Sequence, residues 1–346
     1  MQNIYRILDV NFNRAREAVR VVEDYVRFVR IEPQLREQLK SIRHTLGELT
    51  QSSILKQQLI ASRDVNTDMG SPGAKDEIKT KVKDISGIIT ANCKRMQEAL
   101  RVLEEYTKTI NQPMAQRISR LRFSTYEVEN KISFWFGVKR RFMQSQLCGV
   151  LPGGLSIQRV VSLTKSAIKG GIDIIQLERD DVSDKEYLKR AILVRKLTND
   201  AGILFIVNGR SDITRLAEAD GVHLEEIGVL IASAREIIGG LKLIGVATHN
   251  MDEAIVAQRT GADYFSIEVT EPSLPLQYLS RIARQLTIPY IIEGISTVDD
   301  LVQLQKMHQR LFKYPLKVAV SVGVFSQPDV EAMIRRMKSR LRAGKH

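Results

Sequence analysis

Residues 147–177 read LCGVLPGGLSIQRVVSLTKSAIKGGIDIIQL, and this stretch sets the pattern for the second part of the chain. Two short apolar runs flank a segment whose apolar residues recur every three or four positions. Strands that are apolar along their whole length are typical of parallel sheets, because crossover helices cover both faces. The stretch therefore predicts a strand, a crossover helix and a second, parallel strand.

The same alternation continues toward the end of the chain. Eight apolar runs alternate with helical segments of ~10–15 residues. The runs are LCGVL (147–151), IDIIQL (172–177), ILFIVN (203–208), GVHLE (221–225), LKLIGVA (241–247), ADYFSIEV (262–269), PYIIEGI (289–295) and KVAVSVGV (317–324). Eight βα units in ~200 residues match a (β/α)8 TIM barrel over residues 146–346, whose functional side chains lie at the carboxyl ends of the strands.

The first part of the chain, residues 1–145, has a helical pattern almost throughout. Within it, residues 11–25 (NFNRAREAVRVVEDY) match residues 92–106 (NCKRMQEALRVLEEY) at an offset of 81, with eight of fifteen positions identical. A weaker match at an offset of 79 relates residues 42–49 to 121–128. Two helix pairs related by pseudo-symmetry would explain both matches. The predicted fold class is therefore α/β, an all-α N-terminal domain followed by a TIM barrel.

Composition and charge exclude several classes of protein. The 346 residues are 43% apolar and 27% charged, which is a globular balance. The net charge of +12 lies mostly in residues 1–145, which contain 26 basic and 17 acidic side chains. Because basic and acidic residues are interleaved and no aromatic stacking platform accompanies them, the sequence argues against nucleic-acid binding. Cys93 and Cys148 cannot form a disulfide framework. With neither a signal peptide nor a run of ~18 apolar residues, we expect a cytoplasmic protein that does not bind membranes.

The repeated segment has an apolar arc and a charged ladder. On a helical wheel, the arc that must be buried contains Ala15, Ala18, Val19, Val22, Val26 and Val29. Arginine and glutamate alternate every three residues elsewhere, as Arg14, Glu17, Arg20, Glu23 and again as Arg95, Glu98, Arg101, Glu104. Such a ladder is typical of an exposed helix face. If the copies face each other, however, four arginines with Asn11 and Asn92 would line one cleft suited to phosphate groups.

A polar loop separates the two copies of the repeat. It contains Arg63, Asp64 and Asp68 within SRDVNTDMG (62–70). Carboxylates beside bound phosphate are suitable ligands for Mg²⁺, so Asp64 and Asp68 are candidate metal ligands, with Asx turns in a surface loop as the alternative. The chain has no GxxxxGK[ST] motif, which excludes a P-loop as the nucleotide site.

These motifs resemble a known helical domain. The stretches RILDVNFNRAREAVRVVEDYVRF (6–28), SIRHTL (41–46), SRDVNTDMG (62–70) and ANCKRMQEALRVLEEYTK (91–108) are similar to the hydroxymethylpyrimidine-phosphate kinase domain often fused ahead of thiamine-phosphate synthase. The resemblance implies transfer of a phosphoryl group from ATP, with Mg²⁺, to a pyrimidine monophosphate. The substrate-binding residues it implies, with Arg101 added from the ladder, are Asn11, Arg14, Arg16, Arg20, His44, Arg63, Asp64, Asp68, Asn92, Arg95 and Arg101.

The strand ends of the expected barrel resemble thiamine-phosphate synthase, which joins a pyrimidine diphosphate to a thiazole phosphate and releases pyrophosphate. The residues that carry the resemblance, and that it implies bind substrate, are Gln176, Arg179, Asn208, Arg210, His223, Thr248 and His249. Each histidine follows an apolar strand, where a hydrogen-bonded wall residue is the alternative to an acid or base. The implied partners are small phosphorylated pyrimidine and thiazole compounds, and the oligomeric state, a homo-oligomer included, is left open.

The barrel departs from this family where phosphate should bind. Glu178 and Asp180 stand where the family has an arginine and a lysine, Gly209 replaces a metal-binding aspartate, and Glu293 replaces the first glycine of a pair. At an effective dielectric constant of ~20, each unit charge ~4 Å from a phosphate is worth ~4 kcal/mol before screening. We therefore expect lost synthase activity. A changed substrate, a rebuilt active synthase and a non-catalytic ligand-binding scaffold are the alternatives.

Overall fold

The chain divides into two compact units, Met1–Phe136 and Gly137–His346. The first is helical and the second contains a closed barrel. The computed structural model describes residues 2–30, 32–51, 53–62, 84–179, 181–268, 281, 284–311 and 316–343.

The described part of the helical unit is built from five helices and one π-helical segment. They are α1 (Gln2–Asp24), the π-helical segment Tyr25–Arg30, α2 (Pro33–Leu49), α3 (Ser53–Ala61), α4 (Ile85–Thr107) and most of α5 (Gln112–Gln144). Helix α4 begins where the Asp84 carboxylate accepts a hydrogen bond from the Gly87 amide at 2.8 Å, and α2 begins with proline in its first turn. The all-α prediction for this part of the chain is confirmed.

Helices α1 and α4 pack against each other through equivalent residues of the repeat. The side chains buried on α1 recur on α4 at the offset of 81, as Ala15, Ala18, Val19 and Val22 against Met96, Ala99, Leu100 and Leu103. Val29 was expected on the same buried arc, but it is 56% exposed. The reason is the π-helical segment, which has more residues per turn than an α-helix and rotates Val29 out of the arc.

The second helix of each pair is held by an equivalent ion pair. Arg43 on α2 donates to the Glu23 carboxylate at 2.8 Å, and Arg122 on α5 donates to Glu104 at 2.8 Å. The two glutamates are 81 residues apart and the two arginines are 79 residues apart. Each ion pair therefore joins a residue of the first sequence match to a residue of the second. The pseudo-symmetry therefore extends to helix pairs, as the repeat predicted.

The second unit contains a closed barrel of eight parallel strands in sequence order, which confirms the predicted TIM fold. The strands are β1 (Leu147–Leu151), β2 (Ile174–Leu177), β3 (Leu204–Asn208), β4 (Gly221–Leu224), β5 (Leu243–Thr248), β6 (Tyr264–Glu268), β7 (Tyr290–Glu293) and β8 (Val318–Val320). The described helices around them are α6 (Ile157–Gly170), α7 (Asp184–Asp200), α8 (Ser211–Leu216), α9 (Val229–Ile238), α10 (Met251–Arg259), α11 (Val298–Leu311), α12 (Val322–Phe325) and α13 (Val330–Ala343).

Three aspartates tie the amino ends of even-numbered strands to the preceding strands. Asp173 accepts hydrogen bonds from the Gln146 and Leu147 amides at 2.7 and 3.0 Å, Asp220 from the Phe205 amide at 2.9 Å, and Asp263 from the Ile244 amide at 3.0 Å. Each carboxylate also binds a cation, which is Lys338, Arg195 and Arg235 in turn. These groups stabilise the end of the barrel where the strands begin. The opposite end, where the strands finish, is the one that carries function in this fold.

Candidate functional site

A cleft of about 680 Å³ lies between α1 and α4. Its lining consists of equivalent residues from the two copies of the repeat, which are Asn11, Arg14, Glu17, Ala18 and Val21 with Asn92, Arg95, Glu98, Ala99 and Val102. Each residue of the first set has its partner 81 positions later in the second. The structure thus brings Asn11, Arg14, Asn92 and Arg95 together, in the arrangement that facing copies would give.

The rest of the charged ladder has other contacts. Arg101 pairs with Glu105 at 2.8 Å on its own helix, and Arg20 is exposed outside the cleft lining. Glu23 and Glu104 are buried in the ion pairs to neighbouring helices. The cleft therefore contains two of the four arginines expected there, because the ladder turns around the helix and only its first half faces the other copy.

Two further predicted residues do not line the cleft. Arg16 donates hydrogen bonds to the Leu46 carbonyl at 3.2 Å and to the Thr50 hydroxyl, which fixes it against the end of α2. Burial lowers the pKa of this guanidinium. His44 is exposed on α2. The predicted Arg63, Asp64 and Asp68 lie outside the described residues.

The two cleft asparagines are oriented in the same way. Asn11 donates through Nδ2 to the Ile7 carbonyl at 2.8 Å, and Asn92 donates to the Ile88 carbonyl at 2.8 Å. Both asparagines are only 7% exposed. An asparagine that bonds the carbonyl four residues back has its side chain fixed along the helix, so these amides are held in place before any ligand arrives.

At the strand ends of the barrel, Arg210 is held by two carboxylates. Its guanidinium donates to both oxygens of Asp212, at 2.8 and 2.6 Å, and to Asp184. These bonds raise the pKa of Arg210 and lower the pKa of each carboxyl, so all three groups are ionised at neutral pH. The cluster has one more negative than positive charge.

Other predicted barrel residues are also bonded within the protein. Thr248 donates to the Ser266 carbonyl at 2.8 Å, and the His249 ring lies 3.1 Å from the Glu253 carboxylate. Asn208 donates to Glu225 at 3.1 Å, while its buried Oδ1 has no partner among the described residues. Of the two remaining predicted residues, Gln176 is buried at the end of β2 and Arg179 is exposed beyond it.

His223 lies inside the barrel among polar side chains. Its Nδ1 is 3.3 Å from the Tyr264 hydroxyl, and its Nε2 is 3.2 Å from the Ser266 hydroxyl and 3.8 Å from the Glu293 carboxylate. Burial lowers the pKa of His223 to about 4 and raises the pKa of Glu293. His223 is therefore neutral at physiological pH and hydrogen-bonded on both nitrogens.

Comparisons with known proteins cover both units. Residues 6–131 match the model of the ThiD2 family, and residues 147–308 match that of thiamine monophosphate synthase. The thiamine-phosphate synthase of Thermosynechococcus vestitus is 30% identical in an alignment covering 99% of this chain and 96% of the relative. The chain belongs to the thiamine-phosphate synthase family. The thiamine-phosphate synthase of Rhodopirellula baltica is 32% identical over 78% of this chain and 73% of its own.

A solved structure shares the barrel fold of this thiamine-phosphate synthase family member. The thiamine phosphate pyrophosphorylase from Pyrococcus furiosus has a TM-score of 0.52 at 23% identity, over 60% of this chain and all of that one. Among the described residues of this chain, no helix is long and apolar enough to cross a membrane.

In this member of the thiamine-phosphate synthase family, two pairs of acidic residues contribute to the helical cleft and to the strand ends of the barrel. Neither pair was predicted there from the sequence. Glu17 and Glu98 line the helical cleft, and the offset of 81 applied to the whole repeat would have found them. Asp184 and Asp212 hold Arg210 at the strand ends of the barrel. Asp212 is only two residues after Arg210, but no sequence signal marks Asp184, since it lies on α7, 26 residues before Arg210.

Proposed function

We propose that the helical unit transfers the γ-phosphoryl group of ATP to hydroxymethylpyrimidine phosphate in the cleft between α1 and α4. The observation that carries the proposal is the cleft lining, where Arg14 and Arg95 have no hydrogen-bonding or ion-pair partner within the described part of the chain. A guanidinium without a protein partner is available to bind phosphate, and arginine is well suited to that role. The match of residues 6–131 to the ThiD2 family supports the same reaction.

The cleft side chains suit the requirements of phosphoryl transfer. This reaction depends on positioning and on neutralising charge more than on covalent chemistry. Arg14 and Arg95 would bind phosphate oxygens, and the fixed amides of Asn11 and Asn92 lie beside them.

The donor set of the cleft also fits Mg²⁺. Glu17 and Glu98 place carboxylates among the phosphate-binding groups, and Mg²⁺ is usually held by one or two carboxylates together with substrate phosphates and water. Bound there, the ion would supply further neutralisation of phosphate charge. The loop residues Asp64 and Asp68 remain candidate ligands from the sequence.

For the barrel, the proposal is that the pyrophosphate site has been lost. Arg210 would have to give up charge-assisted hydrogen bonds to Asp184 and Asp212 before it could bind a phosphate. Glu178 at the end of β2 and Glu225 after β4 add negative charge at the same edge. A ligand with about three negative charges therefore meets repulsion where the family has attraction.

The second candidate function is a bifunctional enzyme whose barrel also makes thiamine phosphate. It is favoured by the relative from Thermosynechococcus vestitus, which aligns over 96% of its length and is named thiamine-phosphate synthase. In that case, the pyrophosphate group that is released would have to be bound by cations other than Arg210. Arg179, which follows β2, is the candidate among the described residues.

Two assays on the purified full chain distinguish these functions. The first supplies ATP, Mg²⁺ and hydroxymethylpyrimidine phosphate, and the second supplies the pyrimidine diphosphate with thiazole phosphate. Diphosphate in the first assay and no thiamine phosphate in the second is the expected result. Thiamine phosphate formed at rates typical of a biosynthetic enzyme in the second assay would show that the barrel is active and would refute the lost-site proposal.

A further inference from the structure

The lining of the cleft is self-complementary. Each of its residues on α1 has an equivalent on α4 at the offset of 81, and the two sets face the same space. When two similar elements meet through the same surface patch, the contact is isologous and is related by a two-fold axis. The cleft therefore consists of two equivalent half-sites, each with one asparagine, one arginine and one glutamate from a single copy of the repeat.

The charges of both half-sites are available to ligands. Within the residues that the structure describes, Arg14, Glu17, Arg95 and Glu98 make no hydrogen bond or ion pair through their side chains. This differs from the later part of the same ladder, where Glu104 binds Arg122 at 2.8 Å. The cleft charges are thus unpaired in both copies, whereas Glu23 and Glu104, which lie outside the cleft, hold neighbouring helices in both copies.

The proposed reaction has a matching symmetry. An oxygen of the acceptor phosphate attacks the γ-phosphorus of ATP and forms a new P–O bond. The bond from the γ-phosphorus to the β-phosphate oxygen breaks, and ADP leaves with the electron pair. The acceptor oxygen is already anionic, so no proton has to be removed. Midway, the transferred phosphoryl group lies between two phosphates of similar charge, roughly in line with both.

We infer that each half-site binds one of these two flanking phosphates, with the γ-phosphoryl group near the pseudo-two-fold axis. One arginine of the pair Arg14 and Arg95 neutralises the β-phosphate of the nucleotide, and the other neutralises the phosphate of the pyrimidine. The inference rests on the proposed kinase function and deepens it, because it assigns the two substrates to the two copies of the repeat. A hydroxyl acceptor, by contrast, would bring no phosphate of its own to the second half-site.

The test compares Arg14→Ala and Arg95→Ala in the full chain, with Arg117→Ala as the matched control. Arg117 is half exposed and pairs at 3.1 Å with the exposed Glu48, away from the cleft lining. For each variant, KM for ATP, KM for the pyrimidine phosphate and kcat are measured, and calorimetry gives the Kd of ADP and of the pyrimidine phosphate separately. Fluorescence of Trp135, the only tryptophan of the chain, checks that the helical unit remains folded.

We expect one cleft variant to raise KM and Kd for the nucleotide by at least ~10-fold, with less than ~2-fold change for the pyrimidine phosphate, and the other variant to show the reverse. Both should lower kcat, and Arg117→Ala should match the wild type. The inference is overturned if both variants weaken the same substrate or if neither weakens any. A wild-type chain without kinase activity refutes the proposed function instead, and the two Kd values then test the half-sites on their own.

Discussion

The pseudo-symmetric ion pairs give a quantitative prediction about the helical unit. Glu104→Gln keeps the shape of the side chain and removes its charge from the pair with Arg122, which is joined at 2.8 Å with the two side chains 8% and 11% exposed. Arg122 also donates to the Tyr126 hydroxyl at 2.9 Å, so the guanidinium cannot move to solvent without losing a second bond. The substitution therefore leaves a nearly buried cation without its counterion.

The expected cost follows from this burial. A hydrogen bond to a charged group contributes roughly 1.5–3 kcal/mol, so Glu104→Gln should destabilise the helical unit by about 2 kcal/mol, or ~30-fold in the unfolding equilibrium. The equivalent Glu23→Gln should cost less, about 1 kcal/mol, because its partner Arg43 is 33% exposed and solvent screens the pair.

Urea denaturation monitored by Trp135 fluorescence measures both costs. This tryptophan is fully buried in the helical unit and reports its unfolding without a signal from the barrel. Glu105→Gln is the matched control, because Glu105 neighbours Glu104 but is 43% exposed, and its midpoint should equal that of the wild type. A midpoint for Glu104→Gln equal to that of the control would refute the reasoning that these pairs hold the two helix pairs together.

Three further predictions concern the barrel. Gly245→Ala would place a Cβ 2.0 Å from the ring of Tyr264, so we expect a loss of at least ~3 kcal/mol in barrel stability or failure to fold, measured by hydrogen exchange of the strands. Because burial lowers the pKa of His223 to about 4, the unfolded chain binds its proton first as the pH falls. The contribution of His223 to barrel stability should therefore decrease by about 3 kcal/mol between pH 6.5 and pH 4, and His223→Gln should remove that part of the pH dependence. The double variant Asp184→Asn and Asp212→Asn frees the strand-end guanidinium and should tighten pyrophosphate binding ~10-fold by calorimetry; an unchanged Kd would contradict the lost-site explanation.

The folds of both units could be predicted because they depend on patterns that span many residues. All eight apolar runs form strands of one closed barrel, since a buried parallel strand needs an apolar sequence along its whole length. The last run ends early, however, and Val322–Phe325 is a short helix. The repeat predicted two helix pairs related by pseudo-symmetry and left open whether its copies face each other; in the structure they do, on α1 and α4.

Individual side chains were harder to predict, because their partners are chosen by tertiary packing. Arg16 lies within the motif, but it bonds to Thr50 on another helix. Val29 has the right spacing for the apolar arc, but the π-helical segment rotates it to solvent. Arg210 follows β3 as the family pattern requires, but it is held by Asp212 and by Asp184, which is 26 residues away and carries no sequence signal. A helical wheel or a motif assumes regular geometry and free side chains, and each of these residues violates one of those assumptions.

The most direct test of the central proposal is a ³¹P NMR measurement on the full chain. The wild-type protein and the double variant Arg14→Ala and Arg95→Ala are each given ATP, Mg²⁺ and hydroxymethylpyrimidine phosphate. The proposal predicts that the wild type converts the monophosphate signal to a P–O–P diphosphate with release of ADP, and that the double variant does not, although its Trp135 fluorescence shows it to be folded. Diphosphate formed equally fast by the variant, or not formed by the wild type, would contradict it.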